Sequence, residues 1–547
     1  HHAFKDALLQ KTGVFVVEWC DEKEGPLSEY EQLDPVAVQR LQLDPKLVVE
    51  KIEPAPPLVE RGEERIVAIS NAFVRVEFTS WGGGVKAVEL LQHKANGHGN
   101  AVLRGDALAL KSGSNEVFQL TQPDARTVVL RGAGITKTVT LGEDYLLRGR
   151  FEFANAGTLS TASICVGQGA PTTPAEGPQF LIVDWEGGPK WWDRNLTGGL
   201  LQPSMAKRVQ KGINQEPIRA RWVAVKSQYF AQVLTASQTN AVGVSYQPVH
   251  LPPWAEQPKS PMTNGVTAWM DVPVTHAGDN RATCEFTFYA GPRDYHRLKA
   301  LGSYQEEAMD YGSWMDGYSG IFGKCLLFGL NFFHDHVVAS YGVAILLVTI
   351  FLKIIFWPIQ AKSMASMKQM QRFQPHLAKL KEKFKDDPQR LNMETMKLYK
   401  EHKINPFAGC LPMLVQLPVL MAFYKVLVGD IALRGVPFLW IHDLSRPDTV
   451  WSYGLPFALP LIGATIAINP LPIVMVAAQI WQQKLTPQTG DPQQAKMMML
   501  MPLIMLLFFY NVAAGLTLYW TLQQLLSILQ QWWSLRKDKQ AAAGTPK

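Results

Sequence analysis

The hydrophobic and polar positions divide the chain near residue 300 into two parts with different patterns. In the first part, apolar residues such as Val74, Val76 and Phe78 alternate with polar neighbours, which is the period of a strand buried on one face. Similar stretches, separated by turns rich in Gly, Pro and Asn, recur at 145–153, 222–225 and 284–288. Many short strands of this kind predict a large antiparallel β-sandwich over residues 65–300.

The segment before this region is charged and rich in proline, and we interpret residues 1–64 as a tether. Its apolar stretch Val14–Trp19 is too short to cross a bilayer as a helix. Because the sequence starts at His1 rather than Met, we expect that a preceding membrane anchor is missing.

The second part of the chain follows a helical pattern. Residues 301–336 place Leu326, Leu327 and Phe332 among Gly, Lys and Asp, which predicts amphipathic helices at a membrane interface. Residues 337–535 then contain long apolar runs, which predict a membrane core with five spans. The predicted spans are 337–357, 411–428, 471–483, 497–510 and 516–533.

Two stretches of this core leave its topology open. We interpret Leu455–Asn469 as a re-entrant or outer interfacial segment, with a separate span as the alternative. The run Met497–Tyr510 would rise only about 21 Å as a helix, against a hydrocarbon core of about 30 Å. We therefore expect local thinning of the bilayer around this span.

Charge orients the predicted spans. The net charge of +6 is mild for 547 residues and does not indicate a nucleic-acid binder. Lysine and arginine are concentrated in the segment 361–404, an expected helical hairpin, which the positive-inside rule makes cytoplasmic. Alternate crossing then places the β-sandwich outside and the short basic tail 536–547 inside. The basic hairpin fits attraction to anionic lipid headgroups or contact with a ribosome.

Lys353 lies within the otherwise uncharged run Val337–Trp357. A charge at mid-membrane costs roughly 2.5–3.5 kcal/mol on insertion scales. Two interpretations are open from this residue alone. The side chain snorkels to the headgroups, or it faces a wet cavity and functions there.

Polar residues on several spans favour the cavity. Thr349 lies one turn from Lys353 on the same helix face. Further polar residues on the later spans are Gln416, Gln479, Gln482, Gln483, Thr517, Thr521, Gln524, Ser527 and Gln531. Each alone is explained by an interhelical hydrogen bond. Together they predict a polar concavity inside the membrane, with Lys353 as its only charge.

The predicted concavity lacks the groups that catalysis would need. No predicted span carries Asp or Glu, so no acid–base pair is present. The cluster His334-Asp335-His336 precedes the first span, and we interpret it as solvated rather than metal-binding. We therefore predict a protein that is not an enzyme, has no cofactor, and accepts hydrophilic, especially acidic, polypeptide.

The five cysteines are scattered and form no CxxC motif. A Cys165–Cys284 disulfide within the sandwich stays open as an alternative, but we favour free buried thiols.

Several longer motifs resemble the YidC/Oxa/Alb family of membrane protein insertases, in the bacterial branch with a large periplasmic domain. The motifs are Asn405–Pro412 with Gln416 and Pro418, Phe438–Leu444, Leu471-Pro472-Ile473 and Gly515–Trp520. The resemblance implies a supersandwich-like periplasmic β-sandwich, followed by a five-span insertase core in the inner membrane. It also implies a hydrophilic groove that is open to cytoplasm and lipid and closed outside.

The resemblance further implies a function, partners and site residues. The function is insertion of membrane proteins without nucleotide hydrolysis, and the partners are nascent membrane-protein polypeptides, the Sec translocon, membrane lipids and a ribosome at 361–404. Lys353 resembles the groove position that is usually arginine, and a lysine there keeps the charge but loses the planar fork of donors. Thr349, Gln416, Tyr519 and Trp520 resemble groove-lining positions, beside the polar stripe of Thr517, Thr521 and Gln524.

Two other classes of function compete with this one. A small-anion transporter or channel would use Lys353 as its binding charge, but it predicts inverted repeats, and the sequence shows no convincing repeat. A carbohydrate-binding sandwich would stack sugars on Trp185, Trp191 and Trp192, which fit the sandwich core equally well. No paired carboxylates for glycoside chemistry stand out.

Overall fold

The computed structural model describes residues 14–21, 25–32, 47–51 and 63–543, the last range with breaks. The breaks are 96–98, 114–115, 133, 174–175, 177–180, 187–213, 252–262, 278–279, 310–318, 385–386, 403–410, 460–462 and 486–491. Trp191 and Trp192 lie outside the described residues.

The first 300 residues are built from strands. Three of them form a small antiparallel sheet within the segment interpreted as a tether: β1 (Val14–Asp21), β2 (Gly25–Gln32) and β3 (Leu47–Lys51). The next are β4 (Ile66–Ser70), β5 (Val74–Thr79), β6 (Val85–Lys94), β7 (Asn100–Ala107), β8 (Gln119–Asp124), β9 (Thr127–Gly132), β10 (Ile135–Leu141), β11 (Leu146–Phe153) and β12 (Thr161–Gly169). They are followed by β13 (Ile182–Trp185), β14 (Asn214–Ala220), β15 (Trp222–Lys226), β16 (Phe230–Ala236), β17 (Ala241–Leu251), β18 (Thr263–Pro273), β19 (Thr275–His276) and β20 (Ala282–Pro292).

These strands form a two-layer antiparallel sandwich. One layer is a nine-stranded sheet in the order β13-β15-β16-β20-β11-β10-β9-β8, with β19 on β20. The other layer consists of the four-stranded sheets β4-β5-β6-β7 and β12-β18-β17-β14. These two sheets meet where Leu108 N–H donates to Cys165 O and Cys165 N–H donates to Ala109 O, each at 2.8 Å. The alternating sequence pattern places every second side chain between the layers.

The sandwich core explains two groups of residues that the sequence left open. Trp185 is 7% exposed and packs in the core, as the structural interpretation of this residue expects. Cys165 and Cys284 are free and buried, and burial raises the pKa of both thiols to about 12. The expectation of free buried thiols is therefore confirmed for this pair.

A lysine that the sequence pattern does not single out is buried in the same core. Lys137 on β10 is fully buried, and its Nζ donates to Gly82 O, Gly83 O and Leu108 O at 3.1, 2.7 and 3.2 Å. Nζ also lies 4.6 Å from the ring centre of Phe118. Three carbonyl groups of two turns are thereby satisfied by one side chain. Desolvation lowers the pKa of Lys137 to about 7, although Glu116 and Cys165 oppose this shift.

This lowered pKa predicts a pH dependence of stability. The folded chain releases the Lys137 proton near pH 7, whereas the unfolded chain holds it until about pH 10.4. Between these values the unfolded state binds more protons, so stability rises with pH. The free energy of unfolding relative to Lys137→Met should rise by on the order of 2 kcal/mol from pH 7 to pH 9. Thermal or denaturant unfolding of both full chains in detergent measures this, and a constant difference would contradict the assignment.

The remainder of the described chain is mainly helical. The helices are α1 (Tyr295–Ala300), α2 (Ser319–His336), α3 (Tyr341–Arg372), α4 (Gln374–Lys383), α5 (Pro388–Glu401), α6 (Leu411–Gly429), α7 (Pro470–Leu485), α8 (Pro492–Phe509) and α9 (Ala514–Ala543). Helix α3 packs on α2 and α9, α6 packs on α2, and α7 packs on α8 and α9. The antiparallel sandwich followed by a helical core confirms the predicted fold class.

The five-span count stays a prediction. Among the described residues, one helical stretch, Tyr341–Ser366, is long and apolar enough to cross a membrane. Gln416–Gly429 and Met499–Phe509 are shorter apolar stretches. The described residues of the segment 455–469 form neither a helical span nor a helical re-entrant segment, because 455–459 and 463–468 lie in the antiparallel hairpin β21 (Trp451–Leu459) and β22 (Gly463–Ile468). The hairpin contains the aromatic residues Trp451, Tyr453 and Phe457 and the β-branched residues Thr465, Ile466 and Ile468, which suit strands.

Candidate functional site

Lys353 is buried between two long helices. Its side chain lies on α3, is 4% exposed, and donates from Nζ to Ser527 Oγ on α9 at 2.7 Å. The Ser527 hydroxyl donates in turn to Gln523 O at 2.8 Å. The Ser527 oxygen thus accepts a hydrogen bond from the lysine, while the hydroxyl proton of Ser527 is itself bonded to a backbone carbonyl. No carboxylate takes part in this contact, so the amine is hydrogen-bonded without an ion pair among the described residues.

The predicted threonines lie on the same two helices as this pair, and their hydroxyl groups bond to the preceding helical turn. Thr349, Thr517 and Thr521 are all buried. Thr349 Oγ1 donates to Ile345 O at 2.6 Å, and Thr521 Oγ1 donates to Thr517 O at 2.7 Å. Such bonds to the preceding helical turn hide the hydroxyl from its surroundings. The threonines therefore contribute small, weakly polar surface to the site.

A second set of hydrogen bonds connects α6 with α9. Gln416 Nε2 donates to the Tyr519 hydroxyl, and Gln523 Nε2 donates to Gln416 Oε1 at 3.3 Å. The Tyr519 ring is buried and stacks on Phe423, with ring centres 3.9 Å apart. Tyr519, Gln523 and Ser527 are spaced by four residues, so they form one row on α9. Gln523 was missed in the sequence, where Gln524 was chosen, although this spacing of four could have identified it.

The other two predicted residues of α9 lie outside this row. Gln524 is half-buried and takes no part in the hydrogen bonds between α6 and α9. The ring of Trp520 packs against Phe509 at 5.7 Å. Trp520 Nε1 is buried and has no hydrogen-bond partner among the described residues.

Two adjoining cavities extend from Lys353 along α3 and α9. The first has a volume of about 380 Å³ and is lined by Lys353, Trp357, Leu526, Leu529, Gln530, Trp532 and Trp533. The second, of about 520 Å³, is lined by Trp357, Ala361, Met364, Ala365, Ser366, Lys368, Gln369, Arg372, Gln530, Trp533 and Ser534. Since they share Trp357, Gln530 and Trp533, we treat them as one space, the α3–α9 crevice.

At the opposite end of the core, the loop between α6 and the β21–β22 hairpin contacts both α3 and α9. Gly342 on α3 lies directly under the Phe438 ring, and a Cβ atom there would come within 2.1 Å of that ring. Gly515 N–H donates to Leu444 O at 2.8 Å, at the start of α9. The loop thereby joins the first turns of α3 and α9.

A turn of the sandwich holds the same loop. Tyr229, in the turn between β15 and β16, donates from its hydroxyl to Ser445 Oγ at 3.0 Å. Gln228 Nε2 donates to Val428 O in the last turn of α6 at 2.9 Å. The guanidinium of Arg434 lies 5.0 Å from the ring centre of Tyr229. We call Gln228, Tyr229, Arg434 and Ser445 the junction.

Comparison with known proteins assigns both parts of this architecture to one class, the bacterial inner membrane proteins with a periplasmic domain. The family model for the 60Kd inner membrane protein matches residues 332–541, and the model for the YidC periplasmic domain matches residues 109–322. Three relatives carry the name "Membrane protein insertase YidC". The protein of Geotalea daltonii is 32% identical over 538 residues, which are 93% of this chain and 92% of that protein.

The other two relatives match over shorter lengths. The Pelobacter propionicus protein is 45% identical over 259 residues, 47% of this chain and 45% of its own length. The protein of Nitratidesulfovibrio vulgaris is 38% identical over 344 residues, 62% of this chain and 58% of its own length. These two alignments span about half of the relatives they match. On the full-length match, the chain belongs to the YidC family of membrane protein insertases, and the resemblance found in the sequence is confirmed.

Proposed function

We propose that this chain inserts membrane proteins into the bacterial inner membrane and assists their folding there as a chaperone. In this proposal Lys353 attracts hydrophilic, especially acidic, parts of a nascent polypeptide. The observation that carries it is the buried Lys353 amine, which has a serine hydroxyl as its described partner and no carboxylate on its own or the facing span. A substrate carboxylate that reached Nζ would replace a neutral acceptor by a charged one and add a Coulombic attraction that the serine hydroxyl does not supply.

The remaining groove residues supply exchangeable hydrogen bonds. Gln416 is hydrogen-bonded to both Tyr519 and Gln523. Peptide groups of a substrate can take over these bonds one at a time, so that polar backbone is not left unpaired in the bilayer. Binding and release require no nucleotide and no covalent step. The protein is therefore proposed to act without catalysis.

The topology belongs to the same proposal. The β-sandwich lies in the periplasm, the segment 361–404 and the C-terminus lie in the cytoplasm, and the core spans the membrane several times. Nascent membrane-protein polypeptides are the substrates, delivered alone or through the Sec translocon. The basic segment 361–404 contacts the ribosome or anionic lipid headgroups.

Crosslinking tests whether a substrate polypeptide passes the proposed groove residues. A photoreactive amino acid at Gln416 or Gln523 should crosslink to a ribosome-stalled membrane-protein chain whose hydrophilic segment has reached the bilayer. The control position is Leu525, which lies on α9 beside Gln523 but is 43% exposed at the surface of the core. We expect several-fold more adduct from the two glutamine positions than from Leu525. Equal adduct from all three positions would remove the groove from the proposal.

A further inference from the structure

The α3–α9 crevice has a basic end and an apolar end. At the basic end, Lys368 and Arg372 line the larger cavity together with Ser366, Gln369 and Ser534. Lys368 Nζ donates to Ser534 Oγ at 2.8 Å, which fixes the amine against α9. No acidic residue lines either cavity in the described part of the chain. The basic end is therefore complementary to an anion.

The apolar end is lined by large side chains that also face outward. Lys353 lines the smaller cavity together with four large apolar side chains, Trp357, Leu529, Trp532 and Trp533. The exposed fractions of these four side chains lie between 37% and 58%. The smaller cavity therefore opens at the surface of α3 and α9 between apolar side chains. In the proposed topology this surface faces lipid. A soluble anion would gain nothing from such an opening, whereas an acyl chain would bury apolar surface there.

The depth of the basic end in the membrane also fits a bound lipid. Tryptophan and the long basic side chains concentrate where the hydrocarbon core meets the headgroups. Arg536 stacks its guanidinium 3.6 Å from the ring centre of Trp532, beside the apolar end. Basic pockets between membrane helices on the cytoplasmic side are typical binding places for anionic headgroups.

We propose that the α3–α9 crevice binds one anionic phospholipid. Its phosphate lies against Lys368 and Arg372, and an acyl chain fills the apolar end beside Trp357 and Trp533. This site adjoins Lys353 but does not include the Gln416–Tyr519–Gln523 contacts, and its place at the headgroup level rests on the topology proposed above.

Native mass spectrometry of the purified full chain in detergent tests this site. The probes are palmitoyl-oleoyl phosphatidylglycerol and palmitoyl-oleoyl phosphatidylcholine, which share acyl chains and differ in charge. We expect at least fivefold more of the first single-lipid complex with phosphatidylglycerol. The double variant Lys368→Gln/Arg372→Gln should lose this preference. The matched control Lys362→Gln/Lys379→Gln removes two exposed positive charges of α3 and α4 outside the crevice, and it should keep the preference.

Two further probes distinguish a lipid headgroup from a soluble phosphate as the bound anion. Glycerol 3-phosphate carries the phosphate without acyl chains, and dihexanoyl phosphatidylglycerol carries chains too short to fill the apolar end. Both should bind at least fivefold more weakly than the long-chain lipid. Equal binding of glycerol 3-phosphate would make the crevice a soluble-anion site, and equal loss of preference in both double variants would mean diffuse surface charge. An acidic peptide that binds the crevice while phosphatidylglycerol does not would make it a substrate path. Each of these three results overturns the proposal.

Discussion

Lys353→Glu is expected to lower the insertion of a short-tailed membrane substrate by about tenfold or more, while Lys353→Arg retains most of it. The glutamate would repel the acidic segments that the lysine attracts, and reversing the sign of a buried charge changes such an interaction by well over the 1.4 kcal/mol that corresponds to a factor of ten. Lys353→Ala should fall between the two, because it removes attraction without adding repulsion. Arginine keeps the charge and can still donate to Ser527.

The measurement is complementation in bacteria depleted of their own insertase, scored by protease protection of newly made substrate. Lys362→Glu is the matched control, because it makes the same charge change at an exposed site on the same helix. Equal amounts of each variant in the membrane exclude a folding defect. If Lys353→Glu inserted every substrate as well as the wild type does, the electrostatic role of the groove would be wrong. If it changed small-anion flux instead, the transporter alternative would gain support.

Gly342→Ala is expected to lower the free energy of unfolding by about 1–3 kcal/mol, the usual range for overpacking. A Cβ atom at Gly342 would lie 2.1–2.2 Å from two ring atoms of Phe438 and 2.8 Å from its Cβ. The ring cannot move aside alone, since Phe438 and Ile441 exchange two backbone hydrogen bonds at 2.8 and 2.9 Å. The loop at this end of the core would have to shift as a unit.

Gly429→Ala provides the comparison, because a Cβ atom there would meet nothing within 4 Å. An alanine in the last turn of α6 should be neutral or stabilise by about 0.5 kcal/mol, through reduced backbone entropy of the unfolded chain. The measurement is the thermal unfolding midpoint of each purified variant in the same detergent, and we expect a lower midpoint for Gly342→Ala than for Gly429→Ala. Similar midpoints for both variants would show that the Phe438 contact adapts without cost.

The sequence predicts the fold well wherever a period carries the information. Alternation places the strands of the sandwich, and the long apolar run around Lys353 lies within α3. The hairpin at 451–468 is different, since a continuous apolar run suits a strand or a helix and only its partner strand decides. Strands also occur at Val14–Asp21 and its neighbours, where the charged, proline-rich composition favoured a tether.

The candidate site likewise combines features that the sequence pattern shows with features that depend on tertiary contacts. Lys353 and several polar residues of α9, among them Gln524 and Ser527, are visible in the sequence because they interrupt apolar helices. Which glutamine of the pair Gln523 and Gln524 reaches Gln416 depends on how α6 and α9 are rotated against each other, and α6 is apolar nearly all round. The junction and the buried Lys137 join residues far apart in the chain, such as Tyr229 and Ser445. Such contacts leave no local period.

The junction also leads to an expectation about which end of the core moves. Gln228 and Tyr229 brace the last turn of α6 and the loop in front of α9, and that loop in turn fixes the first turn of α3. The α3–α9 crevice lies at the far ends of the same helices. In the proposed mechanism, we therefore expect any widening of the groove to be a swing of those far ends about the junction. On this expectation the sandwich sets the direction of opening, although no residue of the sandwich is among the described residues that line the crevice.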